Sequence, residues 1–233
     1  MSAIRTARDR ARAELTREIK DTAKRQLTEV GAHGLSLRAV ARELGMVSSA
    51  LYRYFPSRDH LLTALIVDAY NALGEAAETA DPGPGEQPRR RWIAVWHGVR
   101  NWAKAHPHEY SLIYGSPVPG YRAPEDTIAP ATRAALTLVR VADAGPLKPP
   151  YPGPPLPPEL TEQADALAAG LGTNHSEADV TRLLISWTQL FGAIGFELFG
   201  QYTNVVDPAD AFFGYLAEQM ADFIGFPGHG ESR

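Results

Sequence analysis

The stretch Ser36 to Phe55, SLRAVARELGMVSSALYRYF, constrains this chain more than any other. Leu37, Val40, Ala41 and Leu44 fall at i, i+3, i+4 and i+7, one face of a helix. Ser36 stands before them as a natural N-cap. Gly45 then predicts left-handed or otherwise unusual backbone, which lets the helix stop and the chain turn sharply. Beyond the turn, Ala50, Leu51 and Tyr54 resume helical spacing. This is the sequence form of a helix-turn-helix, whose second helix can lie in the major groove of DNA. That helix is predicted to begin near Val47 or Ser48. Periodicity assigns Leu51 and Phe55 to the core and leaves Ser48, Ser49, Tyr52 and Arg53 exposed, with Tyr54 between the two sets.

The continuation LYRYFPSRDHLL, Leu51 to Leu62, closely resembles the end of the DNA-binding domain in tetracycline-repressor (TetR) family regulators. The resemblance spans roughly residues 16 to 65, because helix, turn, LYRYF and the P-S-[basic]-x-x-L-L opening of the next helix all occur in register. Trp96-His97-Gly98, with Ala105-His106-Pro107-His108-Glu109-Tyr110 downstream, resembles the second-domain type called the WHG domain. The resemblance implies an all-α fold, with a three-helix DNA-binding domain followed by a larger helical effector-binding and dimerisation domain. It implies a DNA-binding regulator and no enzyme: a dimer on a palindromic double-stranded operator, released by a small effector. It places Tyr52 and Tyr54 where side chains touch the DNA backbone, and Arg58 where a phosphate-contacting Lys commonly opens the next helix. The sequence departs from the commonest family pattern at Val47, where Ser is usual, and at Ser49-Ala50, often Gly-Thr.

The DNA-binding candidates are therefore Arg38, Ser48, Ser49, Ala50, Tyr52, Arg53, Tyr54 and Arg58. Hydroxyls and backbone N–H groups at a helix start suit phosphates, while Arg53 can pair a guanine edge or a phosphate. Ala50 offers only a methyl, suited to a thymine methyl. Simple packing remains the alternative for Tyr52 and Tyr54.

With 233 residues, the chain is long enough for two small domains. The expected division is an Arg-rich arm at 1–15, a helix-turn-helix domain at 16–62 and a helical domain at 63–233. The net charge of −4 conceals an asymmetry: residues 1–60 hold 12 Lys or Arg against 7 Asp or Glu, and the rest hold 11 against 20. One end suits a polyanion and the other does not. Arg5, Arg8, Arg10 and Arg12 mark the first fifteen residues either as an arm that follows phosphates or enters the minor groove, or as a frayed extension. There is no cysteine, so no disulfide framework or thiolate chemistry. No apolar run approaches the roughly 18 to 20 residues of a membrane span, and the N-terminus lacks the apolar core of a secretory signal. A bacterial cytoplasmic location is expected.

Helices are predicted near 16–30, 56–78, 89–105, 107–114, 125–143, 159–171, from Ser176 onward, and after Pro208. The helix from Pro56 is the only long element leaving the DNA-binding half. Gly145 to Pro158, GPLKPPYPGPPLPP, cannot hold a helix; it reads as a semi-extended loop or as a ligand for a proline-binding module. Leu183, Trp187, Leu190, Phe191, Ile194 and Leu198, with Phe212, Leu216 and Met220 in the last helix, form the strongest apolar pattern. In the family such a pair forms a four-helix dimer interface; an intrachain core is the alternative. Trp96, His97, Tyr110, Tyr114 and Trp187 are candidate linings for a mainly apolar effector pocket, or simply core. His97, His106, His108 and Glu109 are the only local group suggesting metal, and consecutive side chains around Pro107 diverge. Neither a metal nor another cofactor is expected. No phosphate-cradling Gly loop, Gly-x-Ser-x-Gly turn or His-Glu-x-x-His is present.

Overall fold

A computed structural model of the chain describes residues 2–228, with side chains from residue 7; Arg5 of the arginine-rich N-terminus lies outside the described side chains. Within the described residues the chain is helical and strand-free. The helices are α1 (Ser2–Gly34), α2 (Leu37–Glu43), α3 (Ser48–Leu51), α4 (Arg58–Ala80), α5 (Pro88–Ala105), α6 (Pro107–Tyr114), α7 (Ile128–Ala142), α8 (Pro158–Leu171), α9 (Glu177–Leu198) and α10 (Ala209–Ile224). A 3-10 turn, Glu125–Thr127, precedes α7. The chain divides into two compact units, Met1–Tyr70 with His106–Pro130, and Asn71–Ala105 with Ala131–Arg233.

The first unit is built on the three helices read from the sequence. Ile19, Ala23 and Leu27 of α1 meet Leu37, Val40 and Ala41 of α2, Leu51 of α3, and Leu61, Leu62 and Leu65 of α4 in one buried cluster. Each fully buried side chain of this kind contributes about 1.5–3 kcal/mol. The unit also takes in α6 and the chain after it, a grouping that the expected break at residue 62 does not contain. Leu112, Ile113, Val118 and Tyr121 pack against the same cluster. Ion pairs tie α1 to its neighbours: Lys20 to Asp68 at 2.6 Å, Lys24 to Glu109 at 3.2 Å and Arg25 to Glu43 at 2.8 Å. Helix α1 is longer than the predicted 16–30: it begins at Ser2, and Gly31 breaks it with φ 68°.

The second unit buries Trp92, Val95, Trp96 and Val99 of α5 with Leu190 and Ile194 of α9 and Phe213, Ala217, Ala221 and Ile224 of α10. Gly98 is required there, because a Cβ on it would collide with the Cβ of Ala80. Buried arginines cross-link these helices. Arg100 makes a bidentate pair with Glu197 at 2.7 and 2.6 Å and reaches Asp210 at 2.5 Å. Arg89 bonds Glu218 and Asp222, and Arg91 grips Asp81 at 2.8 and 2.7 Å.

The proline-rich segment is a pinned loop. Arg182 Nη2 donates to the carbonyls of Tyr151 and Pro152, and the N–H of Lys148 donates to the carbonyl of Gly225 at 2.7 Å.

The apolar pattern of α9 divides in a way that periodicity leaves open. Leu190, Phe191 and Ile194, read as dimer-interface candidates, are buried within this chain and are not available to a partner. Leu183, Trp187 and Leu198, with Leu216 and Met220 of α10, are half-buried, and Trp187 packs on Phe191 with ring centroids 4.4 Å apart. The exposed face carries Leu184, Ile185, Phe196 and Phe199, joined on α10 by Phe212 and Tyr215.

Candidate nucleic-acid interface

Local chemistry sets the turn between α2 and α3. Ser36 caps α2, its Oγ accepting from the N–H of Ala39 at 3.4 Å. Gly45 takes φ 65°, and the N–H of Met46 returns to the carbonyl of Ala41 at 2.8 Å. Val47 holds the cap position of α3 without a side-chain hydrogen bond. The helix is short, and the chain tightens after it: Arg53 N–H donates to Ala50 and Tyr54 N–H to Leu51, three residues back. Leu51 and Phe55, both buried, lock this turn to the core.

The surface that results presents a defined set of groups. Ser49, Tyr52 and Arg53 are exposed on the recognition element, and Arg38 is exposed on α2. Ser48, Ala50 and Tyr54 are half-buried. A hydroxyl pair at a helix start, a guanidinium and a phenol suit a phosphate backbone and base edges together. Arg58 behaves differently from the other cations. Its guanidinium donates to the carbonyls of Ala32 at 2.7 Å and Leu35 at 3.2 Å, so it closes the α1–α2 turn against the start of α4. Ser57 caps that start, its Oγ accepting from the N–H of His60 at 3.2 Å.

Two residues gain weight from the structure. Val47 is 71% exposed at the start of the recognition helix, where base contacts concentrate; an apolar side chain there matches a thymine methyl. Its departure from the usual Ser was the available signal. Arg12 of α1 lies over the ring of Tyr54, 5.2 Å from its centroid, and its Nη2 is 3.4 Å from the carbonyl of Arg53. Nothing in the periodicity of α1 points to that contact.

The proposed pocket residues fall into both units. Tyr110 and Tyr114 stack at 5.3 Å in the first, with Tyr70 edge-on to Tyr114, and burial pushes both phenols well above their ordinary pKa. Trp96 is fully buried and His97 half-buried in the second, both against Phe213, and burial with the nearby Arg100 charge lowers the His97 pKa. The indole N–H groups of Trp92 and Trp96 and the hydroxyl of Ser186 are buried there with no hydrogen-bond partner among the described residues. In the first unit, one groove of about 570 Å³ is lined by His60, Thr63, Val67 and Tyr121, and one cavity of about 270 Å³ by Leu27, His33, His108 and Ser111. None of the five pocket candidates lines either. Glu109 is engaged by Lys24, and no group of three or more His, Asp or Glu among the described residues is placed to hold a metal ion. No described helix is long and apolar enough to cross a membrane.

Comparison with known proteins agrees with this geometry. Residues 19–65 match the family described as bacterial regulatory proteins, tetR family, and residues 92–220 match the tetracyclin repressor-like C-terminal domain. HTH-type transcriptional regulators of Mycobacterium tuberculosis and Mycobacterium bovis are 39% identical over 211 residues, covering 87% of this chain and 89% of theirs. The crystal structure of SCO4313 superposes with a TM-score of 0.77 at 32% identity, over 91% of this chain and 97% of that one. At 17% identity and a TM-score of 0.50, over 87% and 91% of the two chains, a variant of TetR from Acinetobacter baumannii in complex with minocycline shares the fold.

Proposed function

Because the chain belongs to the tetracycline-repressor family of bacterial transcriptional regulators, we propose that it is a ligand-responsive repressor that binds a palindromic operator as a homodimer. The observation that carries this reading is the outward set Arg38, Ser49, Tyr52 and Arg53 around a short helix locked to the core by Leu51. Each protomer inserts α3 into a major groove, with Ser48, Ala50 and Tyr54 at its margin, and a two-fold axis then demands two matching half-sites. Arg58 contributes by fixing the start of α4 rather than by reaching out.

The dimer surface in this reading is the exposed apolar face of α9 and α10. Phe196, Tyr202 and Phe212 form a chain of edge-on rings, with centroids 5.8 and 5.4 Å apart, continued by Ile185, Phe199 and Tyr215. An apolar patch of this kind marks an interaction site. The effector site lies in the second unit, where the unpartnered Trp92 and Trp96 indoles and Ser186 offer groups that a bound polar atom would satisfy. An effector releases DNA by preferring the conformation in which the two α3 helices no longer span both half-sites.

Binding to a duplex from immediately upstream of the chain's own gene, compared with a scrambled duplex across salt, tests this function. Sequence-selective binding whose affinity falls steeply with salt is expected. No binding to either duplex at low salt would refute it.

A further inference from the structure

The N-terminal turns of α1 have no packing reason to hold their place. Residues 7–14 are exposed, and the side chains of α1 first meet the core at Leu15, partly buried, and Ile19, fully buried, among the described residues. Ala7, Ala11, Ala13 and the intervening arginines favour helix, yet a short polar helix without tertiary support is marginal in water. One set of contacts ties the extension down. The Arg12 guanidinium lies 5.2 Å from the centroid of the Tyr54 ring and 3.4 Å from the carbonyl of Arg53, the residues that close the recognition turn. Arg8 stands four residues before Arg12 and therefore on the same helix face. It lies about 6 Å further along the axis. It is exposed and makes no ion pair or hydrogen bond among the described residues. The acidic groups nearby point elsewhere: Glu14 pairs with Arg17 at 3.7 Å, and Asp9 is about 100° around the helix from Arg8.

We propose that the extension of α1 is a second DNA-binding site, with Arg8 bound to a phosphate of the sugar–phosphate backbone flanking the base pairs read by α3. Arg12 is the positioning residue. Stacked on Tyr54, it docks the extension to the recognition element and sets the orientation of that ring. The extension carries affinity without sequence preference, since phosphates are the same at every step. This inference rests on the reading that α3 enters the groove.

The test uses the full chain with the upstream duplex and a scrambled duplex of equal length, each titrated across salt. Arg8→Ala is expected to weaken both by the same factor and to flatten the dependence of log affinity on log salt. The expected change in slope is about 0.9 per lost phosphate contact, or about 1.8 for two protomers. Because Arg12 acts through Tyr54, Arg12→Ala and Tyr54→Ala are expected to be non-additive in a double-mutant cycle of DNA affinity. Wild-type affinity and slope for Arg8→Ala, while Arg53→Ala still weakens binding, would overturn the proposal and leave the α3 reading standing. Full additivity of Arg12 and Tyr54 would remove the positioning role. Indifference to Arg53→Ala as well would show that the α3 reading itself had failed.

Discussion

In the recognition unit Arg38, Arg42 and Arg53 stand in solvent, whereas in the second unit Arg89, Arg91, Arg100 and Arg182 are buried and bonded to carboxylates or carbonyls. The same side chain serves opposite ends. An exposed guanidinium keeps its hydration until a phosphate replaces it, and no internal partner competes. A buried one must be paired, because an uncompensated charge in the interior costs several kcal/mol. The sums of charge agree: the net positive residues 1–60 hold the first group of arginines, and the second group lies in the net negative remainder. Sequence alone gives both groups the look of solvated charge, and only packing separates them.

The sharpest break of this comparison is Arg100→Ala. It takes from Glu197 its buried bidentate partner and leaves only the more exposed Lys104, and is expected to destabilise the second unit by about 3 kcal/mol, read by thermal or urea unfolding. A neutral outcome would mean that Arg100 is a surface charge in effect. Next in size, Phe196→Asp places a charge on the exposed apolar ridge and is expected to yield monomers in sedimentation, at a loss of about 2 kcal/mol or more of association energy. A persistent dimer would move the interface off α9. Phe191→Asp does not test this, since Phe191 is already buried within the chain.

Acid titration separates the units by a smaller effect. Hydrogen bonds from Arg133 and Arg91 hold Glu78 and Asp81 below the ordinary carboxylate range. At Glu197 burial works against ionisation, and the bonds and charge of Arg100 and Lys104 outweigh it, so its pKa is also low. Groups depressed in the folded state stabilise it fully above their unfolded pKa, about 4, and lose that contribution as pH falls through the folded values. Unfolding of the second unit is therefore expected to become easier as pH drops below about 4, with a shallower pH dependence once Arg100 is removed, because Glu197 then loses the partner that holds its pKa down. A melting temperature flat through this range would contradict the pairing. Smallest of all, Val47→Ser supplies the missing cap and is expected to stabilise the recognition unit by about 0.5–1 kcal/mol while weakening preference for one base pair. Unchanged sequence preference would show that Val47 does not touch a base.

Much of the recognition unit was legible because its signals are local. Ser36, Gly45, Leu51 and Phe55 fix a cap, a turn and an anchor within a few residues of one another. What escaped the sequence depends on distant pairing. Helix α9 is apolar on both faces, so spacing could not say that Leu190 and Ile194 turn inward while Ile185 and Phe196 stay exposed. Leu112 and Val118 read as part of a second domain because chain order separates them from α1, although they pack on its core cluster. Arg58 resembles a phosphate contact by register, yet carbonyls of Ala32 and Leu35 lie within its reach. The pairing of Arg12 with Tyr54 spans 42 residues and has no periodic trace.

The most direct test of the account is the affinity of the Tyr52→Ala, Arg53→Ala double variant for the upstream duplex, measured beside the wild-type chain at one salt concentration. Both side chains are exposed on the recognition element. The account predicts a loss of about 1–3 kcal/mol per side chain, from about thirtyfold to about ten-thousandfold in the double variant, with the fold and the dimer intact. Wild-type affinity in the double variant would contradict the placement of the recognition surface.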